Sequence, residues 1–296
     1  MKRKENIPVH TPHLMQEERV PFSFSPLSMK CGDIFVEAPH RHTFYEIIDI
    51  THGGGTHFVD FEPFFLQPPT FYFISPGQIH LWRLTSPLEG IALMFSEDFL
   101  VFPSSRLGKV DEITFFHTIG DTPELSLNKK QAEQINQLLN LIKKEFNSEA
   151  ISRTSVLRTF LHILIVELQR FYTLNRHNES TTNGSMMVRK FKNLVTKYFA
   201  EEQSVHAYAE KIGVSASHLS DVIKSTTGSS PGKLIRQEIF LEAKRLLVHT
   251  ELTIAEIGYS LSFEDPAYFS RFFKREAGMS PATFRQRTRE KYHIFP

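Results

Sequence analysis

Cysteine is almost missing from this 296-residue chain, with Cys31 standing alone. That excludes an internal disulfide framework and fits a reducing compartment. No run approaches the ~20 apolar residues of a membrane span. The opening residues Met1 to Asn6 are charged, with no apolar run behind them, so a cytoplasmic location without a secretory signal is expected. Strong charge of either sign is also lacking, since the formal net charge is +1. There is no nucleophile elbow, P-loop or dinucleotide fingerprint. Gly53 to Gly55 follows a strand pattern and opens no helical one, so a hairpin loop is expected there, not a phosphate cradle. These absences argue against an enzyme, and no cofactor is expected.

What is present starts with a repeat. Lys224, Gly228, Ser230 and Pro231 recur fifty positions on as Lys274, Gly278, Ser280 and Pro281. A fixed internal period marks a repeated supersecondary unit, and each copy reads as helix, turn, helix. Thr253 and Glu256 form a capping box at the start of unit two. Asp265-Pro266, Ser230-Pro231 and Ser280-Pro281 each place an N-cap residue before a proline suited to the first helical position. Ala207, Ile212, Leu219, Val222 and Ile223 mark the apolar face of unit one. Ile257, Leu261, Phe269, Phe272 and Phe273 mark that of unit two. Gly213 suits the turn of unit one. Between the units, Pro231 to Val248 carries Leu234, Ile235, Ile239, Leu241, Leu246 and Leu247 among charged residues, an amphipathic linker helix.

Charge agrees in sign. From Met186 onward there are 17 Lys+Arg against 12 Asp+Glu, whereas the residues before it are acidic on balance. A basic excess beside paired helix-turn-helix units suits contact with nucleic-acid phosphates.

Residues 187–292 resemble the C-terminal DNA-binding domain of the AraC family of bacterial transcription regulators. The resemblance rests on Ile254 to Phe263, Tyr268 to Lys274 and Gly278 to Arg285. Two positions depart from the family pattern: Gly258 replaces the usual alanine, and Ser262 the usual glycine. Both changes are expected to loosen unit two slightly. The resemblance implies that the second helix of each unit enters the major groove. The groove-facing candidates are Ser217, His218, Ser220 and Asp221 in unit one, and Ala267, Tyr268, Ser270 and Arg271 in unit two. Lys224 and Lys274, further along, suit phosphate contact. Arg271 can make a bidentate contact to guanine, or a surface salt bridge to Glu264 or Asp265. Asp221 can accept from cytosine N4, or face solvent and Lys224.

The stretch from 20 to 120 is strand-rich. Phe35-Val36, Tyr45 to Ile50, His57 to Phe61, Thr70 to Ile74, Ile79 to Leu84 and Gly90 to Phe95 are short apolar or alternating runs, separated by Gly53 to Gly55, Gln67 to Pro69 and Ser75 to Gly77. Six or more such strands suggest a small antiparallel barrel. The stretch is similar to the cupin-like sensing domain of AraC-type regulators, through His40 to Glu46, Gly53 to Gly55 and Pro76 to His80. His42, Glu46 and His80, with Tyr72 or Trp82, are expected to line a site for a small polar effector. A sharper alternative is a metal-dependent cupin enzyme. His40, His42 and Glu46 share strand parity, and with His80 they make a three-His, one-carboxylate set suited to Zn, Mn, Ni or Fe. No metal is expected on the preferred reading.

Asn128 to Leu174 reads as two amphipathic helices, with Ile135, Leu138, Leu139 and Ile142 on one and Leu157, Phe160, Leu161, Leu164, Ile165 and Leu168 on the other. Their apolar stripes suit either a dimer contact, the preferred reading, or cover for the domain's own sheet. Asn175 to Ser185 is polar and aperiodic, a flexible linker.

The expected fold class is α+β, with an N-terminal cupin-like antiparallel barrel and flanking helices, then an all-α domain of two helix-turn-helix units. The expected division is 1–127 for effector binding, 128–174 for dimerisation, 175–186 as linker and 187–296 for DNA binding. The expected function is a homodimeric, sequence-specific regulator of transcription, an activator. Its partners are double-stranded DNA, a small-molecule effector and RNA polymerase, with no membrane. A barrel that serves only to oligomerise the regulator is the other alternative.

Overall fold

The computed structural model describes residues 9–10, 22–31, 39–100, 113–116, 123–175 and 183–291. The chain divides into two compact units, one of Val9–Glu179 and one that holds Ser180–Pro296.

Among the described residues, the first unit is built on one eight-stranded sheet. Its strands are β1 (Val9–His10), β2 (Phe22–Met29), β3 (His40–His42), β4 (Tyr45–Val59), β5 (Glu62–Phe65), β6 (Thr70–Ile74), β7 (Ile79–Phe95) and β8 (Glu124–Ser126). The order is β1-β3-β7-β4-β6-β8, with β2 also on β7 and β5 also on β4. β1 and β3 pair in parallel and the other pairs are antiparallel. A short helix α1 (Glu97–Leu100) follows β7, and helices α2 (Lys129–Phe146) and α3 (Arg153–Asn175) follow β8.

Two long strands replace four expected short ones. Gly53 to Gly55 lies inside β4, not in a hairpin loop, and Ile79–Leu84 and Gly90–Phe95 are one continuous β7. The glycines mark irregularities in the β4–β7 register between Ile50 and Gly55, the places where a sheet bends and gains twist. Glycine is required at Gly55: its φ is +143°, and a Cβ there would lie 2.2 Å from Arg83 O. The bulged segment also reverses parity. Ile48 and Ile50 before it and Val59 after it meet in one core cluster with Tyr72, Ile74, Trp82 and Leu88. The expected strand His57 to Phe61 stops at Val59, because Asp60 and Phe61 form a two-residue turn with both φ positive. Phe35-Val36 lies outside the described residues. Strands β2 and β5 were not singled out by sequence.

The other face of the sheet is covered by α2 and α3. Ile135, Leu139, Ile142, Leu157, Leu161, Leu164, Ile165 and Leu168 share a core with Phe22, Ile47, Phe71, Phe73, Leu93 and Phe95, and Leu138 and Phe160 pack at its margin. The stripes read from sequence therefore cover the domain's own sheet. Asn128 opens α2 with a capping box to Gln131.

The second unit runs through α4 (Asn183–Tyr198), α5 (Val205–Ile212), α6 (Ala216–Thr227), α7 (Pro231–His249), α8 (Ile254–Ser260), α9 (Pro266–Ala277) and α10 (Pro281–Lys291). The linker expected to end at 186 is shorter at both edges: α3 runs through Asn175, and α4 starts at Asn183. The repeat is two helix pairs, α5–α6 and α8–α9, joined by α7. At 19 residues, α7 is about 28 Å long. It buries Leu234, Ile235, Ile239, Ala243, Leu247 and Val248 and packs against both pairs.

Candidate functional site

The helical unit places its candidate residues through local signals. Ser215 N-caps α6, accepting from His218 N, and Ser230 caps α7 in the same way. Thr253 and Glu256 form the expected box on α8, and Asp265 caps α9 ahead of Pro266. Gly213, Gly228 and Gly278 are all left-handed, ending α5, α6 and α9. Each second helix then turns one face inward, with Leu219 and Ile223 buried on α6 and Phe269, Phe272 and Phe273 on α9.

The opposite faces carry the groove candidates. Ser217, His218, Asp221 and Lys224 are exposed on α6, as are Ala267, Tyr268, Arg271 and Lys274 on α9. Ser220 and Ser270 sit half-buried at the margins, and Ser220 Oγ donates back to Ala216 O at 2.7 Å. Positions 217, 221 and 224, and 267, 271 and 274, follow the spacing of one helix face. Arg271 lies over the Tyr268 ring at 5.8 Å and 3.7 Å from Asp265 Oδ2. An exposed pair of that kind is worth ~0–1 kcal/mol, so Arg271 is readily released to another acceptor. Between α7 and α9, Lys233, Arg236, Gln237, Tyr268, Arg275 and Glu276 line a cleft of about 490 Å³. Sequence reasoning had not grouped these residues, because the crossing of α7 and α9 brings them together.

The two departures from the family pattern are explained locally. A Cβ at Gly258 would lie 3.2 Å from Phe269 Cβ, so the bare backbone lets α8 and α9 approach closely. Ser262 holds φ +60°, and its hydroxyl donates to Ala200 O. Two arginines have a supporting role the sequence did not reveal. Arg285 donates to Leu247 O and Leu252 O. Arg289 donates to Val248 O at 3.0 Å and Thr250 O at 2.7 Å and pairs with Glu251. Together they hold the C-terminal carbonyls of α7 and the turn into α8.

In the sheet unit the polar candidates gather inside. His42 closes β3, Glu46 opens β4 and His80 opens β7. The expectation that His40, His42 and Glu46 share one strand fails, since residues 43 and 44 break the chain direction between β3 and β4. Three of the four expected metal-set residues still converge: ligand atoms of His42, Glu46 and His80 all lie within 4.8 Å of one another. His40 is outside this trio, pairs with His80 across the strands and puts its ring 4.1 Å from the His80 ring.

The turn that sets His80 is locked by its own side chains. Gln78 Oε1 accepts from Ser75 N at 2.7 Å, and Gln78 Nε2 donates to Asp60 Oδ2 at 3.0 Å. Gly77 N donates to His42 O at 2.9 Å, tying β3 to the same turn. Behind the trio stands His57, which sequence reasoning missed. It is fully buried, stacked on Trp82 at 3.5 Å, and its Nε2 lies 3.1 Å from His80 Nδ1. Burial pushes its pKa well below the ordinary range, so it is neutral. Tyr72 meets both His57 and Trp82 edge-on and donates to Glu124 Oε2 at 3.2 Å. Tyr72 and Trp82 thus form the wall behind His57. Only the pairing of His57 with Trp82 across β4 and β7, fixed after the bulge, could have revealed this residue.

On the sheet's other face Asp49 is buried with one carboxylate oxygen lacking a partner. Desolvation raises its pKa from 3.8 to about 7.

A family model described as the AraC-like ligand binding domain matches residues 32–160, and one described as a helix-turn-helix domain matches 208–287. The HTH-type transcriptional activator RhaS of Salmonella schwarzengrund (strain CVM19633) is 27% identical over 252 residues, 83% of this chain and 87% of its own. Among solved structures, the C-terminal domain of AraT, a response regulator from Geobacillus stearothermophilus, is 31% identical. That match has a TM-score of 0.34 and covers 36% of this chain and 88% of AraT's. ToxT from Vibrio cholerae O395 is 14% identical with a TM-score of 0.43, over 90% of this chain and 97% of its own.

A sheet domain with a buried polar cluster, followed by paired helix-turn-helix units, defines a DNA-binding, effector-responsive regulator of transcription. The chain belongs to the AraC family of transcription regulators. Among the described residues no helix is long and apolar enough to cross a membrane.

Proposed function

We propose that the protein is a cytoplasmic, homodimeric activator without enzymatic activity, reading DNA through α6 and α9. The observation that carries this is the pair of capped second helices, each with an apolar inner face and a polar outer one. Ser217, His218, Ser220 and Asp221 face one major groove. Ala267, Tyr268, Ser270 and Arg271 face the next, and Lys224 and Lys274 reach phosphate. The length of α7 suits two half-sites about one helical turn apart. Activation is suggested by RhaS, whose name describes a transcriptional activator, and it implies contact with RNA polymerase.

The effector binds in the sheet unit against His42, Glu46 and His80, with Tyr72 and Trp82 contributing the aromatic wall. Dimerisation uses the outer side of α2 and α3, where Leu141, Ile163 and Val166 stay exposed after the inner stripes are spent on the sheet. Effector binding acts by population shift: the effector binds one arrangement of the DNA-binding units more tightly than the other.

The test is selection of sites from random DNA by the purified full-length protein, repeated at two salt concentrations. A motif of two blocks one turn apart is expected. Weak binding with no enriched sequence and a steep salt slope would reduce the helical unit to non-specific phosphate attraction and sink the reading.

A further inference from the structure

We propose that the sheet unit holds one divalent transition-metal ion on His42 Nε2, His80 Nε2 and Glu46 Oε2. His42 Nδ1 lies 2.7 Å from Phe44 O. A carbonyl oxygen only accepts, so Nδ1 carries the ring proton and Nε2 is left to present its lone pair. Nδ1–H bonded to a backbone carbonyl is also the arrangement that orients a metal-ligating histidine.

That Nε2 sits 3.3 Å from Glu46 Oε2. The distance is within hydrogen-bond reach, yet neither atom makes a hydrogen bond. His42 is almost fully shielded from solvent, its exposure being 2%, so water does not resolve the conflict cheaply. Two buried acceptors facing one another repel. A proton on Nε2 turns this contact into an ion pair, whereas a bound cation satisfies both lone pairs, and that of His80, at one point.

His80 closes the set, with Nε2 3.9 Å from the same Glu46 oxygen. Atoms that each stand about 2.0–2.2 Å from one ion are at most about 4.4 Å apart. Both Glu46 distances meet this, and with the trio's ligand atoms all within 4.8 Å a small side-chain adjustment seats the ion. Metal on His80 Nε2 requires its proton on Nδ1, where His57 Nε2 stands 3.1 Å away to accept it. His57 is then a positioning residue, held flat against Trp82. Two imidazoles and one carboxylate, without a thiolate, select borderline divalent ions such as Zn²⁺, Fe²⁺, Co²⁺ or Ni²⁺ over Cu⁺ or Ca²⁺. The assignment shares its side chains with the proposed effector site, but it is measured without effector or DNA, and it implies no catalysis.

The test strips the full-length protein with a chelator, then titrates it with Co²⁺ or Zn²⁺ alone. One ion per chain is expected, with visible cobalt absorption bands of a nitrogen–oxygen site and a raised thermal midpoint. Glu46→Gln, which keeps the side-chain shape, and His42→Ala should abolish the bands and stoichiometric binding. His57→Phe keeps an aromatic ring on Trp82 and should keep the stoichiometry while weakening affinity about 10–100-fold. Cys31→Ser should change nothing. No saturable binding by the wild-type chain, or unchanged bands and stoichiometry in Glu46→Gln, would overturn the proposal. If His42→Ala does not fold, Glu46→Gln and the cobalt spectrum decide alone.

Discussion

The helical unit keeps its candidate functional side chains outside, and the sheet unit keeps its own inside. Arg271 and Tyr268 are 68% and 55% exposed, whereas His42, His57 and His80 are each at 2% or less. The first arrangement needs little beyond a helix with a buried back and suits a large partner that approaches from solvent. The second must neutralise or pair every polar atom it encloses, so each of its residues is fixed by several strands. Surface changes in one unit should alter binding and leave folding nearly intact. Changes inside the other should alter folding and binding together.

The largest expected effect breaks this contrast by probing a buried group that touches no ligand. Asp49→Asn should stabilise the sheet unit. The folded carboxyl, with a pKa near 7 against 3.8, favours the neutral form, so native Asp49 costs nothing below about pH 4. Its penalty grows as pH rises to 7 and stays level above, reaching on the order of 4 kcal/mol. Denaturant melts of the two proteins should therefore coincide near pH 4 and separate by pH 7–8. Curves that stay parallel would mean that Asp49 is ionised in the fold.

Next is Arg289→Ala, the helical unit's counterpart of a buried tie. Losing charged hydrogen bonds to Val248 O and Thr250 O should cost about 3 kcal/mol. The loss should appear as a lower melting midpoint for the α-helical signal. Arg289→Lys should recover little, because one ammonium cannot span carbonyls held by a fork.

Arg271→Ala should then leave stability within about 0.5 kcal/mol while weakening specific DNA binding by about 1–3 kcal/mol. Relaxed preference should appear at one base position in a competition assay at fixed salt. Asp221→Ala, at the equivalent place in unit one, sharpens the comparison between the units. Weaker binding there would mean base reading by the carboxylate. Tighter binding would mean that Asp221 only repels phosphate.

The smallest effect is at Ser262→Gly. Relief of the positive φ is worth roughly 1 kcal/mol, and loss of the hydroxyl's bond to Ala200 O offsets roughly 0.5–1.5 kcal/mol. The thermal midpoint should move by only a degree or two. A large gain would show the backbone strain to be uncompensated.

Much of the helical unit was legible because its signals are local. Thr253 with Glu256, Asp265 before Pro266, and the left-handed glycines at 213, 228 and 278 each act within a turn of their own position. Residues that act over distance were not legible. Arg289 reaches carbonyls about forty positions back, and the cleft between α7 and α9 exists only at their crossing. In the sheet unit, existence of strands was readable from alternation, but their limits were not. Gly53 to Gly55 carries turn chemistry, yet it bends β4 without ending it, because a bulge and a hairpin use the same residue type. The helical stripes from Ile135 to Leu168 were visible as apolar faces, but sequence alone left open whether sheet or partner would cover them.

By itself the sequence determined the repeat, its caps and turns, the apolar face of every helix in it, and the presence of a strand-rich domain before it. Short-range hydrogen bonding and 3.6-residue periodicity need no partner from elsewhere in the chain. Only the tertiary structure decided that His42, Glu46 and His80 share one point, that His40 stands aside and that His57 backs them. Those placements depend on strand register, and the irregular segment between Ile50 and Gly55 reverses which side chains point inward. No local rule reports it, because the energy that fixes register comes from burying the whole opposite face.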